Sequence, residues 1–378
     1  MLKEAISSFF SEWDNIKAEP FGSGHINDTY RLTISGRSAG TGPNAGVTDM
    51  GRDEIVNIAG KRYILQRING SVFPDPVALA ETHLKIEQRA AEGSSGIKIA
   101  SIVPNLKGNY ITFDSEGNGW RLTTYIDNSY SVDVASERWH AHEAGRAWGW
   151  FAATCSDLDA SGFSEPIENF HRLSFRLKQL ESAISENRAG RRDESVGMIE
   201  FYMDIVPGLL TIDKLYDQGE LPRRVVHNDT KINNLLFRDK RAVAVIDLDT
   251  AGQGTLLFDY GDALRTTAST SDEDEQDISK AGFSLNAFVS FTRGYLQEVS
   301  HFITQTELKW LHTAPLLMST IIGIRFLTDY LNGDIYYKTA RPSHNIDRCA
   351  VQRAIAESVI NSRDEMKSVV DEIYSGLQ

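Results

Sequence analysis

A chain of 378 residues, 41% hydrophobic and 24% charged, has room for two or three domains and an ordinary soluble composition. A formal net charge of −13 excludes a nucleic-acid binder that relies on phosphate contacts. Two distant cysteines, Cys155 and Cys349, exclude a disulfide framework and a zinc site.

Residues 1–15 read as a short amphipathic helix with Phe9, Phe10 and Trp13 on one side and no cleavable apolar core. The longest apolar window, LLMSTIIGI at 316–324, is half of what a bilayer requires, so a cytoplasmic protein with no membrane partner is expected. From Glu19 to Ile34 a Gly-rich turn, GSGHIND, interrupts two strand-like pieces. Gly22 and Gly24 are candidates for a phosphate-covering loop, because glycine lets backbone N–H groups approach a phosphate chain. The full GxGxxG spacing is absent, and a glycine-containing hairpin turn is the competing explanation. Residues 35–60, Gly-, Asn- and Asp-rich, read as an insertion centred on 36–56.

The strand KRYILQRI follows, and after a turn the helix ALAETHLKIEQRAAE. Gln66 and Arg67 lie on opposite faces of that strand, in the place where a cation would meet the phosphates of a nucleotide. Glu81 or Glu87 of the helix is the candidate partner for Arg67, with a plain surface arginine as the alternative. Further strands run to Ile126 (IKIASIVPN, NYITFD, WRLTTYI), and the boundary between an N-terminal region, 1–126, and a C-terminal one, 127–378, falls there. Beyond it the chain turns helical. Trp139, Ala147, Trp148 and Phe151 recur at helical spacing and read as core, while His140 and His142 lack partners at metal-ligand spacing. Strands first and helices after define an α+β chain with a small β-rich lobe and a larger helical one.

Val225 to Thr250, VVHNDTKINNLLFRDKRAVAVIDLDT, carries the chemistry. A polar loop precedes two apolar runs around a basic turn, the pattern of a two-stranded hairpin. His227, Asp229 and Asn234 form H-x-D-x-x-x-x-N, and Asp247 closes the second strand. That spacing is the arrangement of kinase-type phosphoryl transfer. Asp229 is the candidate catalytic carboxylate for an acceptor hydroxyl, and Asn234 and Asp247 offer hard oxygens to Mg²⁺ across the phosphates.

Downstream, Asp259 stands where such folds brace the loop backbone, or simply caps a helix. The acidic run SDEDEQD at 271–277 reads as a solvated loop or as an attractor for a cationic acceptor. Arg325 and Asp329, four apart on one helical face, read as an intrahelical pair or as groups presented to a sugar.

The words FGSGHINDTY, YILQRIN, VVHNDTKINNLLF, AVIDLDT, FDYGDALR, AST-x-x-DED-x-x-DISK and GIRFLTDYLNGDIYYK span nearly the whole chain. On them the chain resembles the aminoglycoside and choline kinase-like phosphotransferases, and within these the N-acetylhexosamine 1-kinases. The resemblance implies a two-lobed protein-kinase-like fold of the aminoglycoside phosphotransferase type. It implies ATP and Mg²⁺ as cofactors and a small-molecule sugar as partner, phosphorylated on its anomeric hydroxyl. It places catalysis on Asp229, metal on Asn234 and Asp247 and the phosphate loop on Gly22, Ser23, Gly24 and His25, and puts the helix carrying Arg325 in the sugar-binding lobe; Gln66, Arg67 and Glu81 stand as candidates for the nucleotide, and Asn228, Arg325 and Asp329 for the acceptor. The chain departs from the pattern in its 35–60 insertion and in lacking a strand lysine. Two other readings stay open: a kinase of choline, an aminoglycoside or another small alcohol, and a silent binding module.

Overall fold

The computed structural model describes residues 1–22, 26–35, 60–93 and 95–378; the expected insertion at 36–56, and Ser23, Gly24 and His25, lie outside them. The described chain forms two compact units, residues 1–88 with 99–128, and residues 89–98 with 129–378.

The N-terminal stretch contains α1 (Leu2–Phe9), β1 (Ile16–Pro20), β2 (Asp28–Ile34), β3 (Arg62–Arg67), α2 (Pro76–Ala91), β4 (Lys98–Ile99), β5 (Ile102–Val103), β6 (Ile111–Phe113) and β7 (Gly119–Thr124). Its sheet has the order β1-β2-β3-β7-β5, with β6 also on β7, and the pairings are antiparallel. Register across β2, β3 and β7 aligns Tyr30, Leu65 and Leu122 on one face and Thr29, Gln66 and Arg121 on the other. The apolar face is covered by α1, whose Ala5, Ile6 and Phe9 pack with Leu32, Leu65, Trp120 and Leu122. Ile6 and Phe9, withdrawn from water, contribute about 1.5–3 kcal/mol each, enough to hold a helix of two turns that would not form alone.

The second unit carries α3 (Arg138–Thr154), α4 (Leu173–Glu186), α5 (Val196–Asp217), β8 (Arg224–Val226), β9 (Leu235–Arg238), β10 (Arg241–Val245), β11 (Gly252–Gly254), α6 (Leu256–Thr267), α7 (Leu285–Val299), α8 (Gln305–Leu311), α9 (Ala314–Asn332), α10 (His344–Asn361) and α11 (Arg363–Ser375). The α9 helix is apolar nearly all round and is buried accordingly, against α4, α6 and α10. By length and composition α9 and the stretch Asp193–Asp217 would each reach across a bilayer, so the apolar window at 316–324 understated the helix that contains it; 89% of the α9 window is buried inside the unit. The α6 helix lies so close to the start of α9 that a Cβ at Gly261 would stand 2.3 Å from the Ala314 carbonyl oxygen. This contact fixes the height of α6. Trp148, Phe151 and Ala147 are buried core, as their spacing predicts. Both cysteines are buried and unbridged.

The hairpin expected from the sequence is present as β9 and β10, with Arg238 opposite Arg241. Its two-residue turn, Asp239-Lys240, has both φ angles positive, 48° and 61°, the mirror-image turn that suits the twist of paired strands.

Candidate active site

The loop between β8 and β9 is held from three sides. Its backbone N–H groups at His227 and Asn228 donate to the two carboxylate oxygens of Asp259, at 2.7 and 2.8 Å. Thr230 Oγ1 donates to the Asp259 carbonyl at 2.6 Å, and Thr250 Oγ1 to the His227 carbonyl at 2.8 Å. Asp259 is therefore the backbone brace and not a cap, since the N-cap of α6 is Thr255. Burial pushes its carboxyl up to about 7 in spite of the two N–H donors.

His227 is fully buried, with its ring edge-on to Trp148 at 4.9 Å and to Phe151 at 5.4 Å. Its Nε2 faces the Ile246 carbonyl at 3.0 Å and its Nδ1 receives the Asp229 N–H at 3.3 Å, which assigns the proton to Nε2. Burial holds the imidazole below its ordinary value. His227 is thus a neutral strut that aims Asp229.

Asp229 is three-quarters buried, and two groups hold its carboxylate. Nδ2 of Asn234 donates to Oδ2 at 3.1 Å and to the Asp229 carbonyl at 2.9 Å. Nζ of Lys231 lies 3.1 Å from Oδ1. Burial alone would raise the Asp229 pKa; the Lys231 ammonium beside it reverses that and brings it below the usual carboxylate range. Lys231 is in turn pushed up by Asp229. Asp229 is therefore an ionised acceptor beside a fixed cation.

With both hydrogens of its amide on Asp229, Asn234 has only Oδ1 left to offer a ligand. Its backbone carbonyl accepts the Ile246 N–H at 3.0 Å, which registers Asn234 one residue from Asp247 across the hairpin. Asp247 is exposed and left-handed, φ 63°, at the end of β10. No cluster of three or more His, Cys, Asp or Glu among the described residues would hold a metal by itself. One amide oxygen and one carboxylate nevertheless fit a hard divalent cation that draws its other ligands from phosphates and water.

The residues expected at the acceptor separate. Arg325, half-buried on α9, stacks on Phe170 (4.7 Å), Tyr337 (5.6 Å) and Tyr336 (5.9 Å) and has no hydrogen-bond or carboxylate partner among the described residues. Phe170 is fixed by Arg176, whose Nε and Nη2 donate to its carbonyl at 3.1 and 2.8 Å. Burial and the neighbouring Arg325 charge push Arg176 down to about 10. The next residue, His171, donates from Nε2 to the Asn228 carbonyl at 2.8 Å, so the Arg325 platform is tied to the loop that carries Asp229.

Asp329 is neither paired with Arg325 nor open to a ligand, which corrects both sequence readings. It is 4% exposed, and its carboxylate accepts the N–H groups of Ile335, Tyr336 and Tyr337 at 3.0, 2.8 and 3.0 Å and Nδ2 of Asn345 at 2.9 Å. Gly333 at φ 95° ends α9 and turns the chain back onto it. Asp329 thus sets the two tyrosines under Arg325. Asn228, also expected to touch the acceptor, is 7% exposed and commits Nδ2 to the Thr250 carbonyl at 3.1 Å; its left-handed backbone, φ 62°, turns it inward as a brace.

In the first unit, Gly22 has φ 79° and open space at its Cβ position, as a loop glycine should. Arg67 pairs with Asp28, its cross-strand neighbour, and not with Glu81 or Glu87. Glu81 is exposed, and Glu87 accepts the Ile102 N–H at 3.0 Å. Gln66 lies on the opposite face, donating to Thr29 Oγ1 at 3.3 Å and accepting from Nη2 of Arg121 at 2.6 Å. Arg121, 3% exposed, supplies the positive charge beside Gln66. An arginine among the apolar residues of WRLTTYI is the sequence signal for it.

Lys231, Asp262, Arg265 and Glu273 also went unassigned in the sequence. Arg265 Nη1 reaches Glu273 at 2.8 Å, and Asp274 binds Arg341 and His344, so the acidic run is locked by ion pairs and is neither a loose solvated loop nor a free cation trap.

Residues 17–288 match the model of the APH phosphotransferase enzyme family, and the chain belongs to that family. Similar solved structures include a microcompartment-associated aminopropanol kinase, at 14% identity and a TM-score of 0.61 over 96% of this chain and 97% of that one. An aminoglycoside phosphotransferase from Alicyclobacillus acidocaldarius is 13% identical with a TM-score of 0.58, over 98% and 96%. The GDP complex of aminoglycoside 2'-phosphotransferase-IIIa is 13% identical with a TM-score of 0.57, over 93% and 97%. The fold is accordingly the kinase-like, two-lobed α+β fold, and the chain is a phosphotransferase.

Proposed function

We propose that this phosphotransferase is a cytoplasmic kinase that moves the γ-phosphoryl group of ATP to the anomeric hydroxyl of an N-acetylhexosamine, N-acetylglucosamine or N-acetylgalactosamine. The observation that carries the acceptor assignment is Arg325, a guanidinium without a carboxylate partner among the described residues, stacked on Phe170, Tyr336 and Tyr337 and tied through His171 to the loop of Asp229. Aromatic faces suit a sugar ring, and an unpaired guanidinium suits a carbonyl oxygen such as that of an acetamido group. The same charge opposes choline and aminoglycosides, whose ammonium groups would face Lys231 and Arg325 together.

In this reading the Asp229 carboxylate takes the proton of the C1 hydroxyl as its oxygen bonds to the γ-phosphorus. The bond from that phosphorus to the bridging oxygen breaks, and ADP leaves. Lys231 keeps Asp229 ionised and adds positive charge beside the transferring group. Mg²⁺, held through Oδ1 of Asn234 and the carboxylate of Asp247, would neutralise the phosphate oxygens. Positioning and preorganised charge then supply most of the acceleration, as phosphoryl transfer requires.

An ADP-release assay with ATP and a panel of N-acetylglucosamine, N-acetylgalactosamine, glucose, galactose, choline and kanamycin tests the proposal. The expected result is the highest kcat/KM with an N-acetylhexosamine and a 1-phosphate product by phosphorus NMR. A preference for choline or kanamycin, or a 6-phosphate product, overturns it.

A further inference from the structure

The two long apolar helices of the second unit meet different fates: 89% of the α9 window is buried, but only 28% of the window at Asp193–Asp217, which contains α5. The inner face of α5 is Tyr202, Val206, Leu209, Ile212 and Tyr216. One flank is covered by α10, whose Arg353 stacks on Phe201 at 4.9 Å and donates to the Gly197 carbonyl at 3.1 Å. The face opposite the buried one carries Val196, Glu200, Met203, Pro207, Leu210 and Lys214, spaced 4, 3, 4, 3 and 4 residues apart. That alternation is the seam of a helix pair. Val196 and Met203 are 45% and 38% exposed, Pro207 is exposed and Leu210 half-buried, so the apolar part of the seam lies open. Contiguous apolar surface of this kind marks an interaction site.

The middle of the seam is built from residues that weaken a helix. Pro207 takes away the donor to the Met203 carbonyl, and a Cβ at Gly208 would meet nothing within 4 Å. Neither position serves the core of the unit. A proline ring beside a glycine does give a low, apolar spot at which a second backbone can approach closely. The charges decide what covers it. Counted from Pro207, Glu200 lies seven residues before and Lys214 seven after, and neither has an ion-pair partner among the described residues. When two copies of α5 cross antiparallel about a two-fold axis at Pro207, Glu200 of each copy meets Lys214 of the other, and Met203, Pro207 and Leu210 of both fill the space between. A parallel pair would set like charges together at both ends. A lipid surface is disfavoured, because Glu200 and Asp204 stand on this face of a chain with net charge −13.

We infer that the open face of α5 is a homodimer interface, in which two copies of this helix cross antiparallel at Pro207 with a Glu200–Lys214 pair at each end. The face lies wholly within the second unit and shares no residue with the site around Asp229, so the inference stands whatever the acceptor is.

The test is analytical ultracentrifugation of the full chain over a range of concentrations, with Tm as the check on folding. The wild type sediments as a monomer–dimer equilibrium. Met203→Glu sets a charge in the exposed centre of the seam and sediments as a monomer, with Tm close to wild type. Glu200→Lys and Lys214→Glu each place like charges at both ends and weaken self-association about tenfold or more. An equimolar mixture of these two variants associates again, because every end pair of the mixed dimer is of opposite sign. The double swap Glu200→Lys, Lys214→Glu recovers wild-type association, which a parallel pair would not do. If Met203→Glu unfolds the chain, the charge variants still decide. A wild type that is monomeric throughout, a dimer indifferent to Met203→Glu, or charge variants that recover neither on mixing nor on double swapping overturns the inference. Flotation of a monomeric wild type with vesicles of phosphatidylcholine and phosphatidylglycerol, lost in Met203→Glu, also overturns it and gives the face to a lipid surface.

Discussion

Nδ2 of Asn234 donates to both the carbonyl oxygen and Oδ2 of Asp229, at 2.9 and 3.1 Å. One amide thereby fixes the carboxylate proposed for catalysis and keeps its own oxygen free of that contact. Asn234→Asp removes those donors and sets a second negative charge against Asp229. The expected result is a fall in kcat of about a hundredfold or more, with a changed Mg²⁺ titration. A variant with wild-type rate and Mg²⁺ dependence shows that Asn234 does neither job.

Asp229→Asn keeps the shape of the side chain and removes the proton acceptor. Turnover should fall by about a thousandfold or more, within the range of general-base contributions, while ATP affinity by calorimetry stays close to wild type. Full turnover in this variant removes Asp229 from the chemistry.

Much of this centre was legible because it is local. His227, Asp229 and Asn234 lie within eight consecutive residues, and the hairpin that brings Asp247 alongside announces itself by alternation and a short basic turn. Partnerships made across the fold were not legible. Arg67 and Asp28 meet only because β2 and β3 are in register, and the sequence between them includes the long insertion. Asp329 looked like a partner for Arg325 at helical spacing, but a carboxylate four residues from a helix end can equally serve the N–H groups of a returning chain. Glu273 sat in a run whose composition signals solvent, and only the burial of Arg265 distinguishes it.

Asp114 gives the first unit a pH dependence. Its carboxylate accepts Nε1–H of Trp120 at 2.9 Å, Nδ2–H of Asn118, and the backbone N–H groups of Glu116 and Asn118. Burial opposes ionisation, but these donors outweigh it and lower the pKa from 3.8 to about 2. A depressed carboxylate stabilises the fold above its unfolded value and loses that contribution as pH falls toward its folded value. Acid unfolding followed by tryptophan fluorescence should steepen between pH 3.8 and about 2, and Asp114→Asn should flatten that window. Identical acid profiles for the two proteins contradict the assignment.

Gly261 sets the height of α6. A methyl group there would stand 2.3 Å from the Ala314 carbonyl oxygen and 2.7 Å from Cγ of Met318, so one helix must shift. Gly261→Ala should cost about 1–3 kcal/mol, seen as a lower Tm. Because α6 carries Asp259, whose oxygens hold the His227 and Asn228 N–H groups, kcat should fall as well. A variant with reduced Tm and full kcat shows that the catalytic loop holds its shape without α6 at this height.

Arg325 and Asp329 distinguish a contact from a support. If Arg325 meets the acceptor, Arg325→Met keeps most of the packing over Phe170, Tyr336 and Tyr337 and removes the donors. Acceptor KM should rise about tenfold or more, with Tm close to wild type and KM for ATP little changed. Asp329→Asn acts at one remove: an amide cannot accept from three backbone N–H groups and Asn345 as a carboxylate does, so the turn at 335–337 loosens. Here Tm and acceptor affinity should fall together, because the tyrosines under the guanidinium lose their setting. In the Arg325→Met, Asp329→Asn double variant the stability loss should match Asp329→Asn alone, and the two KM effects should combine to less than their product, since both act through one platform. Independent, fully multiplicative KM effects indicate that Asp329 influences the acceptor by some route other than the seat of Arg325.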